Sequence, residues 1–181
     1  GAPTSWSTEV DQLAAGVSGG LRQQRLVLVS AGNTDNFTFG AGNYLDRCDH
    51  EDNEIESPAQ AWNVLSVGAF TEKTVLPNGD PAQALAPFGD LSPASRTASW
   101  SSHWPNKPDV VLEGGNWALS AMPPPMRHGW LSLLSTHHNY PVRSFTFTFD
   151  TSAATALAAK DVTELWSDYP TLWPETVRGL Y

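Results

Sequence analysis

Residues 25–33 read RLVLVSAGN, and their pattern indicates the fold class. Its apolar run from Leu26 to Val29 is unbroken, which is typical of a parallel strand that is covered on both faces. A Gly-Asn turn ends the run at Asn33. Two further runs of the same kind follow, at residues 63–70 and 107–115. The sequence therefore predicts a sheet of buried, parallel strands.

Helical patterns lie on both sides of these strands. A predicted amphipathic helix begins at residues 7–8 with a Ser-Thr cap and ends at a Gly-Gly pair, residues 19–20. Its apolar face is predicted to consist of Val10, Leu13, Ala14 and Val17. The alanine-rich part of residues 147–160 and the segment PETVRGL, which starts at Pro174, predict two closing helices.

Three stretches predict irregular loops, because they are acidic or rich in proline: residues 46–56, 81–95 and 120–130. Helices, buried strands and long loops together fit an α/β layered domain. A length of 181 residues is that of one domain, and we expect residues 1–181 to form a single domain. Because the chain starts and stops abruptly, we expect this domain to be incomplete at both ends.

Composition excludes several classes of partner. Ten basic residues stand against 19 acidic ones, and the net charge of −9 argues against nucleic acid and against an anionic membrane surface. No apolar stretch approaches the roughly 18 residues that span a bilayer. The compartment is left open by the sequence. Its single cysteine, Cys48, gives a slight preference for the cytoplasm.

Ser152, within FTFDTSAATALAAK at residues 147–160, allows two interpretations. A serine before an alanine-rich run is a good helix cap. It is equally a candidate nucleophile, because a helix N-terminus offers N–H groups and a positive dipole to a developing oxyanion. Chemistry in parallel sheets takes place beyond the carboxyl ends of the strands. Asn33, Gly114 and Gly115 are predicted to lie there with Ser152.

Several segments in one order resemble the subtilisin-like serine peptidases, the subtilases. VLVSAGN resembles the strand and oxyanion asparagine of that family, and SPAQAWNVLSVGAF resembles its P-A-x-x-x-N-V-x-x-V-G-A segment. LSPASRTA is similar to a serine-rich loop, and KPDVVLEGG to K-P-D-V-x-A-P-G. The tail, from TSAATALAA to YPTLWPETVRGL, is similar to the nucleophile helix and the helix after it.

The resemblance implies a subtilisin-like three-layer fold with a mainly parallel sheet, of which this chain is the C-terminal portion. It implies a serine endopeptidase that acts on peptide or protein substrates and requires no cofactor. Ser152 corresponds to the nucleophile and Asn33 to the oxyanion-hole asparagine. Four residues correspond to substrate-binding positions: Ser30, Ala31, Gly32 and Thr151.

Two departures from the family pattern affect catalysis. The family usually has glycine where this chain has Asp150, and a carboxylate there would oppose an oxyanion unless it points to solvent. The triad runs Asp, His, Ser along subtilase chains, yet no histidine precedes Asn33. We expect the five downstream histidines to be surface residues: His50, His103, His128, His137 and His138. The base and its aspartate are therefore missing from this chain, which we expect to be nearly inert alone.

Other side chains allow a functional and a structural interpretation. The acidic segment around Cys48 is a solvated loop or a Ca²⁺ site, and Cys48 itself is expected to be an ordinary thiol. Glu113 lines the substrate cleft or hydrogen-bonds a neighbouring loop. Four tryptophans serve in packing or as a ligand platform: Trp100, Trp104, Trp117 and Trp130.

Two alternatives to a peptidase chain remain open at this stage. The protein is a pseudoprotease that keeps the cleft and binds peptides, or the chain associates with the N-terminal part of the same protein as a separate chain. Asp150 and the missing base motivate the first of these alternatives.

Overall fold

A computed structural model describes residues 3–17, 23–34, 44–98, 106–121 and 124–181. Its α-helices are α1 (Ser5–Ala14), α2 (Tyr44–Cys48), α3 (Asp150–Asp168) and α4 (Pro174–Leu180). Its strands are β1 (Leu28–Ser30), β2 (Leu65–Phe70), β3 (Gln83–Ala84), β4 (Val110–Glu113), β5 (Trp117–Leu119), β6 (Met126–Arg127), β7 (Leu133–Thr136) and β8 (Phe145–Thr148). Among the described residues, no helix combines the length and the apolar character that crossing a bilayer requires.

A parallel sheet of three strands organises the fold. Its order is β1-β2-β4, and both pairings of the central strand are parallel. The three apolar runs of the sequence each contain one of these strands, so the predicted parallel pairing is confirmed. The predicted burial holds only for the central strand, β2, which is buried except at Phe70. It was wrong for the outer strands, because β1 is half-buried and Val111 of β4 is exposed. The mixture of helices with a parallel sheet is compatible with an α/β subtilase fold.

The main core lies between this sheet and α3. Leu65, Val67 and Ala69 of β2 pack against Ala154 and Ala158 of α3 in one buried cluster. Because alanine side chains are short, α3 can approach the sheet closely along this line. Val162 and Val177 extend the cluster toward α4. Both predicted closing helices are therefore confirmed, and Pro174 lies in the first turn of α4.

The first helix differs from its prediction. Thr4, rather than the pair at residues 7–8, is the N-cap of α1, and the helix ends before Gly16, whose φ is +72°. A Cβ on Gly16 would lie 2.6 Å from the carbonyl carbon of Gln23, so the returning chain forces the stop. The predicted end at residues 19–20 lies outside the described residues. Ser7 and Ala14 face inward, while the predicted face residues Leu13 and Val17 are exposed.

The three predicted loops hold short regular elements. The acidic segment begins inside α2 and contains a 3-10 turn, Glu51–Asn53. β3 lies within residues 81–95, and β6 with a second 3-10 turn, Gly129–Leu131, lies in and after the proline-rich loop. The prediction of irregular structure was wrong there, because pairing with β5 supplies the hydrogen bonds that the local sequence does not indicate.

An antiparallel hairpin leads into α3. β7 pairs with β8, with Leu134 opposite Phe147. The outward-facing side chains of this hairpin include Leu134, Phe145 and Phe147, all of which are exposed. β8 ends two residues before α3 begins, so the hairpin fixes where the N-terminus of α3 starts.

Candidate active site

The ends of β1 and β4 meet the N-terminus of α3. Gly114 directly follows β4, and its carbonyl oxygen accepts the N–H of Asp150 at 2.7 Å. Asn33 follows β1 and contacts Thr151, 118 positions further along the chain. Ser152 is the next residue of α3. The segments that contain Asn33, Gly114 and Ser152 therefore meet at one edge of the sheet, as the sequence predicts.

Thr151 orients the amide of Asn33. The Thr151 N–H and the Thr151 hydroxyl both donate to Asn33 Oδ1, at 3.1 and 2.7 Å. A backbone N–H can only donate, so the amide atom that faces it is the carbonyl oxygen. The Asn33 NH₂ group is therefore the part of the amide that does not bind Thr151. Thr151 itself is buried, so its side chain serves this contact.

Arg96 holds the backbone around Asn33. Its Nε donates to the carbonyl oxygen of Asn33 at 2.9 Å, and Nη1 donates to the carbonyl oxygens of Asp52 and Glu54 at 3.1 and 2.9 Å. Glu56 pairs with the same guanidinium at 3.1 Å. One arginine therefore ties the asparagine turn to the acidic segment. Sequence reasoning missed Arg96, because a single arginine in a serine-rich loop carries no local signal of this role.

Ser152 lies inside the first turn of α3 with an exposed side chain. The N-cap is Phe149, which makes no side-chain capping bond, so the interpretation of Ser152 as the helix cap was wrong. The N–H groups of Asp150 and Thr151 are bound as described above, and that of Ala153 donates to Phe149. Among the described residues, the Ser152 N–H of that turn has no acceptor.

The Asp150 side chain does not point to solvent, which was the condition under which its carboxylate would not oppose an oxyanion. It is 4% exposed, and its φ of +66° lies in the left-handed region that favours glycine. Its carboxylate forms an ion pair with Arg127. The Arg127 guanidinium lies over the rings of Trp117 and Phe149, 5.5 and 5.4 Å from their centroids. The negative charge two residues before Ser152 is thus paired with the positive charge of Arg127.

The residues that the resemblance assigns to substrate binding are only partly exposed. Ser30 and Gly32 are half-buried, whereas Ala31 is 1% exposed and packs with Ile55 and Ala59. Ala31 can therefore contribute backbone, but not its side chain, to a pocket. The roles of these residues remain predictions.

The described histidines are engaged elsewhere. His128 Nε2 lies 3.2 Å from Asp80 Oδ2, and its Nδ1 accepts the Trp130 N–H, so both ring nitrogens have partners. Nδ1 accepts a backbone N–H in His50 and in His137 as well, and the His138 ring stacks on that of His137. His103 lies outside the described residues. None of the described histidines is hydrogen-bonded to Ser152.

Glu113 and Cys48 have structural surroundings. The two carboxylate oxygens of Glu113 accept the N–H groups of Gly115 and Glu72, each at 2.7 Å, which favours the loop interpretation of this residue. Cys48 is buried, and burial raises the pKa of its thiol to about 11, the opposite of an activated thiolate. Among the described residues, no three His, Cys, Asp or Glu side chains are grouped so that they could hold a metal ion.

The tryptophans divide between both interpretations. Trp117 is buried in a core cluster with Tyr44 and Leu85, whereas Trp130 is exposed. Trp100 and Trp104 lie outside the described residues.

Gly114 is required for the close approach of β4 to α3. An added Cβ would lie 2.4 Å from Ala69 Cβ and 2.9 Å from the Asp150 carbonyl oxygen. We expect Gly114→Ala to lower the free energy of unfolding by about 1–3 kcal/mol, because the start of α3 must move away. Thermal unfolding of the purified protein measures this. The control is Gly179→Ala in α4, where a Cβ meets nothing within 4 Å and stability is unchanged or higher. Equal melting temperatures for both variants would contradict the prediction.

Comparison with known proteins assigns the family. The model of the Subtilase family matches residues 1–181, which is the whole chain. A search of curated proteins found no match. The ordered motifs and the full-length match agree, and the chain belongs to the subtilase family of serine peptidases.

Proposed function

We propose that this chain supplies the nucleophile and the oxyanion hole of a serine endopeptidase. The carrying observation is the pair of hydrogen bonds from Thr151 to Asn33 Oδ1. These bonds engage the oxygen of the amide beside Ser152, which supports the NH₂ group as the donor that is left for a substrate. With the Ser152 N–H, it forms a pair of donors for the oxygen that becomes negative when a peptide carbonyl is attacked.

The reaction proceeds through an acyl-enzyme. Ser152 Oγ attacks the carbonyl carbon of the scissile bond, and its proton passes to a histidine base. The tetrahedral intermediate collapses, the histidine returns the proton to the leaving amine, and the peptide C–N bond breaks. Water then attacks the ester by the same route and releases Ser152. In this proposal, Ser30, Ala31 and Gly32 form one wall of the pocket for the substrate side chain.

The histidine and its aspartate are supplied by residues outside these 181. No histidine precedes Asn33 in the sequence, and the described histidines have other partners. The fold in this proposal is the C-terminal portion of a subtilisin-like three-layer domain. The missing pair belongs to the same protein, either in one polypeptide or as an associated chain.

Labelling with a fluorophosphonate probe tests this function. Such probes phosphonylate only a serine whose hydroxyl is activated by a base. We expect the full-length protein to be labelled, with the adduct located by peptide mapping at Ser152. The Ser152→Ala variant is the negative control, and heat-denatured protein is the control for chemical background. Absence of the adduct in the folded full-length protein would overturn the proposal.

The second candidate is a pseudoprotease that binds peptides. The presence of Asp150 in place of the usual glycine favours it, because a carboxylate near the oxyanion opposes the reaction. The ion pair with Arg127 weakens this argument, since the charge is neutralised. Peptide binding by a full-length protein that does not react with the probe would favour this alternative.

A further inference from the structure

Asp150 is an unusual residue to find two positions before a nucleophile. Its side chain is buried, its backbone adopts a left-handed conformation, and its N–H donates to Gly114 at the end of β4. Aspartate tolerates this conformation better than most residues, but glycine tolerates it without strain and carries no charge. The conformation of the turn therefore does not by itself require a carboxylate.

Arg127 meets this carboxylate from another part of the fold. It lies on β6, which pairs with β5 so that Arg127 is opposite Trp117. Its guanidinium covers the Trp117 and Phe149 rings, and 43% of its side chain remains exposed. The guanidinium plane contacts these two aromatic rings, and the cation–π contacts help to hold Arg127 beside Asp150.

We propose that Arg127 is a positioning residue of the peptidase site that acts through Asp150. By neutralising the Asp150 carboxylate, Arg127 prevents that charge from opposing the oxyanion at Asn33 and Ser152. The inference rests on the proposed function, because it assumes that an oxyanion forms beside Ser152.

The effects of removing each partner should differ. If the ion pair served only stability, loss of either partner would break it and cost about the same. If Arg127 acts on the charge of Asp150, loss of Arg127 is harmful, because a buried carboxylate loses its cation next to the reaction. Loss of the Asp150 charge is then tolerated, since Arg127 is partly exposed and can be solvated.

Three variants of the full-length protein test this asymmetry: Arg127→Met, Asp150→Asn and the double variant. Methionine keeps an unbranched chain over the rings, and asparagine tolerates the left-handed backbone without a charge. The readout is the second-order rate constant of fluorophosphonate labelling, with the melting temperature measured in parallel. We expect Arg127→Met to slow labelling at least about tenfold, and the double variant to recover to within about threefold of wild type.

Asp150→Asn alone is expected to stay within about threefold of wild type. Arg127→Lys keeps the cation and should label faster than Arg127→Met. Equal slowing by Arg127→Met and Asp150→Asn would overturn the inference, because the ion pair would then serve stability alone. Labelling of Arg127→Met at the wild-type rate would also overturn it. If Arg127→Met does not fold, the labelling rates of the double variant and of Asp150→Asn test the inference instead. A tenfold slower rate in either variant would overturn it. A wild-type protein that is not labelled overturns the proposed function itself.

Discussion

Ser152→Ala in the full-length protein lowers kcat for peptide hydrolysis by roughly 10⁶-fold, the size measured for the nucleophile of a subtilisin. The physical reason is that alanine cannot form the acyl-enzyme, which leaves only the oxyanion donors and substrate binding. KM changes little, because the removed hydroxyl acts on the transition state more than on the bound substrate. Steady-state hydrolysis of a fluorogenic casein substrate measures the loss.

The matched control for this variant is Ser167→Ala. Ser167 is another exposed serine of α3, near the opposite end of the same helix. Its replacement removes the same hydroxyl from the same element and should leave kcat unchanged. If Ser152→Ala keeps a tenth of the wild-type rate, Ser152 is not the nucleophile.

Replacement of Asn33 has the second-largest expected effect. Asn33→Ala should lower kcat by about 10²–10³-fold, the range found for the corresponding donor in a subtilisin. Asn33→Asp is the sharper variant, because an oxygen can still accept from Thr151 while the NH₂ donor is lost and a negative charge is added. We therefore expect Asn33→Asp to be at least as slow as Asn33→Ala.

Separate measurement of kcat and KM distinguishes the role of Asn33. A transition-state donor lowers kcat and leaves KM nearly constant, whereas a residue that binds the ground state raises KM. Asn78→Ala is the control, since Asn78 is an exposed asparagine in a turn outside the candidate site. A raised KM with an unchanged kcat in Asn33→Ala would contradict the oxyanion role.

The parts of the fold that the sequence predicted are those with a strong local pattern. β2 is a continuous apolar run, and α3 is an alanine-rich segment with an apolar face, so both could be identified without knowledge of their partners. The face of α1 could not be identified, because the inward position of Ser7 depends on Ser57, which accepts its hydroxyl bond 50 positions away. The early end of α1 likewise depends on Gln23.

The hairpin of β7 and β8 was missed although its signal was present. Residues 145–148 read FTFT, and strict alternation of apolar and polar residues indicates a strand with one covered face. The short strands β3 and β6 are different, since two residues carry no periodicity and each is defined only by its partner β5.

The candidate site shows the same division between local and long-range information. Ser152 and Asn33 were selected through family motifs, and the contact between Asn33 and Thr151 brings their segments together. Arg96 and Arg127 were missed, because their contacts with Asn33 and Asp150 cross 63 and 23 positions of chain. Only the folded arrangement reveals which carbonyl or carboxylate an arginine reaches.

Trapping of the acyl-enzyme shows directly whether Ser152 is the nucleophile. The full-length protein is mixed with p-nitrophenyl acetate, quenched in acid and digested, and the peptides are examined by mass spectrometry. We predict a rapid burst of about one equivalent of p-nitrophenolate and an acetyl group on Ser152. Absence of the burst, or an acetyl group on another residue while Ser152 stays unmodified, would contradict the assignment of Ser152 as the nucleophile.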